Sequence, residues 1–149
     1  MSVGTVALPS SVRKIATLPS RKKRTLVVDD SITILHAICA LLEHHKVVEI
    51  VGRAEHGTDA MDAVAELKPE LVLLDADMPG VSGLRTALLI SQMHPEIEIV
   101  LMSMDTSTQF RSAGTACGAS AMIYKPKFLP ELRAYLEPAQ ERVMAGLGT

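Results

Sequence analysis

The sequence has few cysteines and no long apolar run. Its 149 residues include only two cysteines, Cys39 and Cys117, with no CxxC pair, and the five histidines show no metal-ligand spacing. A disulfide framework and a zinc site are therefore not expected, and both thiols are predicted to be reduced core residues of a cytoplasmic protein. No segment approaches the ~20 consecutive apolar residues that span a bilayer, so we expect a soluble chain without a membrane partner.

Charge is unevenly distributed along the chain. Residues 1–24 contain no acid, whereas the rest of the chain holds nine of the 15 Lys and Arg against all 17 Asp and Glu, a formal charge of −8. Such an acidic domain is not expected to bind nucleic acid directly. Residues 1–23, which are basic and interrupted by Pro9 and Pro19, are predicted to be a disordered leader. The RKKR run at 21–24 is interpreted as a solvated flank.

From residue 24 onward, short apolar runs alternate with segments of helical period. Strands are predicted at 25–28, 47–54, 70–75, 98–103 and 120–124, and helices at 31–44, 58–67, 83–93, 108–117 and 130–145. The first helix is expected to bury one apolar face, formed by Ile34, Leu35, Ile38, Leu41 and Leu42. Nearly continuous apolar strands between helices indicate an α/β fold with a doubly wound parallel sheet, covered on both faces.

Polar side chains follow the predicted strands at the points where they end. Asp29 and Asp30 follow the first strand, Asp75 ends the third, Ser103 ends the fourth and Lys125 follows the fifth. Ligands of open parallel sheets bind at this carboxyl edge. Clustered carboxylates raise one another's pKa values, so the site requires cations; Mg²⁺ and the Lys125 ammonium fit that requirement. A carboxylate so placed can attack a phosphoryl group.

The aspartate pair has a simpler interpretation when each residue is considered alone. Asp29 or Asp30 could merely end a strand or cap the following helix. The convergence of four strand ends favours a functional site, because ligand sites gather at this edge of parallel sheets.

Three segments carry a family resemblance: LVVDDS at 26–31, LVLLDADMPGVSG at 71–83 and CGASAMIYKP at 117–126. They resemble the signature segments of response-regulator receiver domains, and the DxxMPxxxG element (Asp75, Met78, Pro79, Gly83) is the most specific. The stretch around 47–83 is most similar to receivers of LuxR/NarL-type regulators, which usually carry a helix-turn-helix output domain. We expect a receiver domain over 24–146 and no output domain. The resemblance implies the flavodoxin-like (βα)5 fold with strand order 2-1-3-4-5.

The resemblance also implies a role for each acidic residue of the site. Asp75 would be the phosphoacceptor. Asp30 would bind Mg²⁺ directly and Asp29 through water, and the main-chain carbonyl of Asp77 would be the third protein ligand.

The resemblance further implies how the switch works, and the sequence departs from the family pattern at two positions. Lys125 would pair with Asp75 and then with the phosphoryl group, while the Ser103 hydroxyl would turn inward to a phosphoryl oxygen. Met122 occupies the switch position where an aromatic residue commonly rotates inward. Met104 stands where a small residue usually follows the switch hydroxyl. Neither change removes a catalytic group, but both bear on how the signal leaves the site.

These features lead to one principal functional hypothesis. The chain is expected to be a phosphorylation-dependent switch of a two-component or phosphorelay system, accepting phosphate from a histidine kinase or phosphotransfer protein and changing its affinity for a downstream protein. It is not expected to turn over a separate substrate, and homodimerisation is left open. The alternatives are an unphosphorylated scaffold module, a receiver fragment of a longer transcriptional regulator, and a small phosphatase, which would need a substrate-enclosing cap.

Overall fold

Five short strands alternate with five α-helices in the computed structural model, which describes residues 21–79 and 82–137. The strands are β1 (Arg24–Val28), β2 (Glu49–Ala54), β3 (Leu71–Asp75), β4 (Glu98–Ser103) and β5 (Ala121–Tyr124). The helices are α1 (Ile32–His44), α2 (Gly57–Leu67), α3 (Gly83–Met93), α4 (Thr108–Ala116) and α5 (Phe128–Leu136), with a short 3-10 turn at Lys125–Lys127 before α5.

All four strand pairings are parallel and give the order β2-β1-β3-β4-β5. Both the order and the α/β class were predicted, and both are confirmed. β2 lies on one side of β1, and β3, β4 and β5 follow on the other side. Because the direction of the crossovers reverses at β1, the connecting helices lie on opposite faces of the sheet.

Each face of the sheet has its own apolar core. The helices α2, α3 and α4 pack on one face, where Val64, Ile90 and Phe110 join the strand residues. The helices α1 and α5 cover the other face through Leu35, Leu42 and other buried residues. The strands β1 and β3 are buried on both sides, which explains their nearly unbroken apolar sequences.

The buried face of α1 differs from the predicted one. Ile34 and Leu41 are each 41% exposed, whereas Leu35, Ile38, Cys39 and Leu42 are buried. The apolar arc of this helix is wider than the surface that the sheet covers, so the buried stripe is rotated toward Cys39. Burial raises the pKa of the Cys39 thiol, as expected for an inert core cysteine.

Several element boundaries also differ from the sequence expectation, most of them by one residue. The second helix begins at Gly57 rather than at residue 58, with His56 as its N-cap. The second strand begins at Glu49 rather than at residue 47. The last helix begins at Phe128, two residues before Pro130, and ends at Leu136; the remainder of its predicted span, 138–145, lies outside the described residues. Proline is tolerated in a first helical turn, where its missing N–H has no intrahelical partner.

Arg21 and Lys23, the residues just before β1, form contacts with acidic residues of the folded domain. The Arg21 guanidinium donates a hydrogen bond to Glu70, at 2.9 Å from Nη1 to Oε1, and Lys23 pairs with Glu98. Residues 21–23 were assigned to the leader by the sequence analysis, and these contacts tie them to the sheet instead. The predicted leader over 1–20 and the end of the domain beyond residue 137 lie outside the described residues, so those boundaries stay predictions. No helix in the described ranges is long and apolar enough to cross a membrane.

Candidate functional site

The carboxyl edge of the sheet carries a group of ionisable side chains. Asp29 follows β1, Asp75 ends β3 and Lys125 follows β5. Asp29 is fully buried and Asp75 is 2% exposed, whereas Asp30 is exposed. The parallel strands therefore bring together the acids and the lysine that the sequence placed at strand ends.

Lys125 joins the two buried acids. Its Nζ lies 3.0 Å from Oδ2 of Asp29 and 3.3 Å from Oδ1 of Asp75. The prediction paired Lys125 with Asp75 alone, so the additional and closer partner, Asp29, is a finding of the structure. One ammonium thus offsets two buried carboxylates, which leaves the local charge negative.

Burial, together with this charge imbalance, shifts the pKa values of the site. Burial raises the pKa of Asp75 to about 6; the neighbouring Asp29 charge adds to the rise, and the Asp77 N–H and Lys125 oppose it. Burial alone would lower the pKa of Lys125, but the close Asp29 and Asp75 carboxylates outweigh it and hold that pKa above its usual value. At neutral pH the lysine is therefore charged and Asp75 is mostly ionised.

Gly83 explains part of the DxxMPxxxG element. A Cβ at this position would lie 2.1 Å from the main-chain oxygen of Asp75 and 2.5 Å from Cα of Ala76. Only glycine lets the start of α3 approach the loop that carries Asp75 so closely. Glycine at position 83 is thus a packing requirement, because any side chain there would displace the main chain of Asp75.

The loop after β3 also anchors Asp75. The Asp77 N–H donates to Oδ1 of Asp75 at 2.9 Å. Met78 is buried in the core and holds the loop down, while Pro79 is exposed. The side chain of Asp75 therefore has one oxygen held by both a backbone N–H and Lys125.

Ser103 lies at the same edge and bonds the side chain of Asp77, a contact that the sequence analysis did not predict. Its hydroxyl is 3.0 Å and 3.1 Å from Oδ1 and Oδ2 of Asp77 and accepts a hydrogen bond from the Asp105 N–H at 2.9 Å. The Met104 N–H also donates to Oδ2 of Asp77, at 3.1 Å. Sequence analysis assigned only a main-chain role to Asp77, and nothing in the residue pattern signalled the contacts of its side chain.

The two methionines occupy very different environments. Met104 is 59% exposed beside the site. Met122 is partly buried and packs against α4, where a Cβ on Gly114 would lie 2.4 Å from its sulfur. Met122, the residue at the predicted switch position, therefore fills the space that Gly114 leaves on the surface of α4.

The acidic cluster is chemically suited to a divalent cation. Carboxylate oxygens of Asp29, Asp30 and Asp75 all lie within 4.8 Å of one another. Oδ2 of Asp29 is fully buried, and the Lys125 ammonium at 3.0 Å is its charged partner in the described part of the chain. Oxygen donors and excess negative charge fit Mg²⁺.

Comparison with known families agrees with this arrangement. The profile of the response regulator receiver domain matches residues 25–137. The chain belongs to this family of two-component signal transduction domains.

The similar curated proteins are longer than this chain. Response regulator GacA from Pseudomonas viridiflava is 31% identical over 109 residues, which cover 73% of this chain and 51% of GacA. A protein-glutamate methylesterase/protein-glutamine glutaminase from Nocardioides sp. is 36% identical over 104 residues, which cover 70% of this chain and 28% of that protein. The matched region therefore spans about half of the one relative and about a quarter of the other.

Solved structures show the same fold. A two-component response regulator of the LuxR family from Aurantimonas sp. SI85-9A1 superposes with a TM-score of 0.71 at 25% identity, covering 84% of this chain and 86% of that one. The resemblance to LuxR-type receivers that the sequence suggested around 47–83 is confirmed.

Proposed function

We propose that this chain is a phosphorylation switch of a two-component or phosphorelay system, with Asp75 as the residue that accepts the phosphoryl group. The observation that carries the proposal is the buried Asp75 carboxylate, 3.3 Å from Lys125 and clustered with Asp29 and Asp30 in a receiver fold. The donor would be a phosphohistidine on a histidine kinase or phosphotransfer protein.

In the proposed step, a carboxylate oxygen of Asp75 attacks the phosphorus atom of the donor. The new P–O bond forms as the P–N bond breaks, and the imidazole leaves with the bonding electron pair. Because the pKa of Asp75 is about 6, the nucleophile is mostly ionised at neutral pH. Lys125 stays charged and offsets the negative charge of the transferred group.

A magnesium ion is the cofactor that suits this cluster. Asp30 and Asp75 would hold it directly, Asp29 through water, and Asp77 through its main-chain carbonyl. When bound, Mg²⁺ supplies the positive charge that lets an anionic donor approach an acidic site.

Phosphorylation is proposed to change the affinity of the domain for a downstream protein rather than to begin turnover of a separate substrate. The relevant chemical change is the addition of a dianionic phosphoryl group at the carboxyl edge of the sheet, where the Ser103 hydroxyl and the Lys125 ammonium can bind it. Ser103 would bond a phosphoryl oxygen in the activated state.

The proposal is tested by phosphorylation with acetyl phosphate and Mg²⁺, monitored by intact mass. One phosphoryl group per chain is expected, and none in excess chelator or in the isosteric variant Asp75→Asn, whose amide cannot attack phosphorus. Asp62→Asn, which removes an exposed acid on α2, is the matched control and should label like the unaltered chain. Undiminished labelling of Asp75→Asn, or labelling without metal, would contradict the mechanism. A folded chain that takes no label at all would favour the scaffold alternative.

A further inference from the structure

The switch hydroxyl is already fully engaged in this structure. Ser103 is completely buried, and its Oγ faces both carboxylate oxygens of Asp77 at 3.0 Å and 3.1 Å while it accepts the Asp105 N–H. A serine hydroxyl has a single proton to donate. That proton is given to Asp77, so Ser103 cannot donate to a phosphoryl oxygen on Asp75 without first leaving Asp77.

Asp77 also holds the next residue of the same loop. Its Oδ2 accepts the Met104 N–H at 3.1 Å, so one side chain from the loop after β3 fixes two consecutive donors at the end of β4. Both bonds to the carboxylate are charge-assisted and stronger than bonds between neutral groups. The loop after β4 is thereby tied to the loop after β3 in the unphosphorylated chain.

We propose that the Asp77 side chain is a positioning residue that opposes activation, by competing with the phosphoryl group on Asp75 for the Ser103 hydroxyl. The proposal rests on the phosphoacceptor role of Asp75 and adds a determinant of how readily the switch responds. Phosphoryl oxygen and Asp77 carboxylate are both anionic acceptors, and the single Ser103 proton serves one at a time. Release from Asp77 frees Met104 as well, so the loop moves as a unit.

A double-mutant cycle separates this competition from a simple charge effect. The beryllofluoride concentration at half-saturation would be measured by amide NMR, at Mg²⁺ saturating for each variant. The variants are Asp77→Ala, Asp77→Asn, Ser103→Ala and the double variant Asp77→Ala with Ser103→Ala. Asp62→Asn is the control for loss of one negative charge. Substitution at 77 leaves its main-chain carbonyl in place for the metal.

Loss of one charge-assisted bond that competes with the ligand should lower the half-saturating concentration by about tenfold in Asp77→Ala. The same substitution should have at most about a twofold effect when Ser103 is already alanine, because no hydroxyl remains to be held. Asp77→Asn keeps an acceptor oxygen and should fall between the unaltered chain and Asp77→Ala. Equal effects of Asp77→Ala in both serine and alanine backgrounds would show that only charge matters and would overturn the inference.

The Met104 amide proton gives a second readout, which a purely structural role of Asp77 would not produce. In the unaltered chain its resonance should move on addition of beryllofluoride, as the bond to the Asp77 carboxylate breaks. In Asp77→Ala it should start near the activated position and move little. An unchanged starting resonance would refute the proposed contact. If the unaltered chain binds no beryllofluoride and takes no phosphoryl label, the function of Asp75 fails; binding without coupling between 77 and 103 overturns only this inference.

Discussion

Replacing Asp75 by asparagine should stabilise the metal-free protein while removing the proposed nucleophile. Asp75 is 2% exposed and shares one lysine with Asp29, so its ionised form is held in an environment that favours the neutral one. Asparagine resembles the protonated aspartic acid in shape and charge. It keeps an oxygen to accept the Asp77 N–H, and it leaves the contact between Lys125 and Asp29 in place.

The size of the effect follows from the pKa of Asp75. This pKa is raised from 3.8 to about 6, mainly by burial. At about 1.4 kcal/mol for each pKa unit, the ionised side chain costs the folded state at most about 3 kcal/mol at neutral pH. For a domain of this size, that corresponds to an increase in melting temperature on the order of 10 °C in the variant.

The pH dependence gives the sharper test. Because the folded-state pKa is above the unfolded one, the folded protein binds more protons between about pH 4 and pH 6, and its stability falls as pH rises through this window. The advantage of Asp75→Asn should therefore be near its full value at about pH 7.5 and roughly half as large at about pH 5. Urea denaturation in chelator, followed by circular dichroism, measures both values.

Two controls make the result interpretable. Asp62→Asn, which removes an exposed acid on α2, should change stability by less than about 0.5 kcal/mol. Saturating Mg²⁺ should reduce or reverse the advantage of Asp75→Asn, since the ion stabilises the unaltered carboxylate cluster. An Asp75→Asn variant that is no more stable than the unaltered chain, or equally favoured at both pH values, would refute this account of the buried charge.

Three further predictions concern contacts elsewhere in the fold. Gly114→Ala should change the free energy of unfolding, measured by denaturation, more favourably in a Met122→Ala background than in the unaltered chain. The reason is that the new Cβ otherwise lies 2.4 Å from the Met122 sulfur. Equal changes in both backgrounds would argue against this contact. Ser31→Ala should destabilise the protein by about 1 kcal/mol in the same assay, since its side chain caps the N-terminus of α1. Ultraviolet titration of a variant with the other tyrosine replaced by phenylalanine should find the Tyr135 pKa at about 12, because burial and the hydrogen bond to Glu98 disfavour the phenolate. Glu98→Gln should lower that pKa, and no change would contradict the assigned cause.

Much of the candidate site could be predicted from residue order. Asp29, Asp75 and Lys125 follow separate apolar runs, and once those runs are recognised as parallel strands their carboxyl ends meet at one edge. The prediction needed no knowledge of side-chain geometry. It succeeded because a parallel sheet converts positions in the sequence into positions along an edge.

The buried face of α1 could not be predicted as well from the sequence. Ile34 and Leu35 are adjacent apolar residues of α1, yet the first is 41% exposed and the second is buried. Periodicity gives the direction of an apolar arc, but the width of the surface that covers it depends on neighbouring strands and helices.

The amino-acid sequence by itself determined the alternation of strands and helices and the carboxyl-edge cluster, because hydrophobic period and chain direction are local properties. Its signature segments determined the family, and the resemblance to that family implied the strand order. Only the tertiary structure decided which acid holds the Ser103 hydroxyl. Asp77 and Ser103 are 26 residues apart, and their contact depends on the conformations of two loops after different strands. A single hydroxyl proton chooses among several nearby acceptors by distance and angle, and these exist only once the chain has folded.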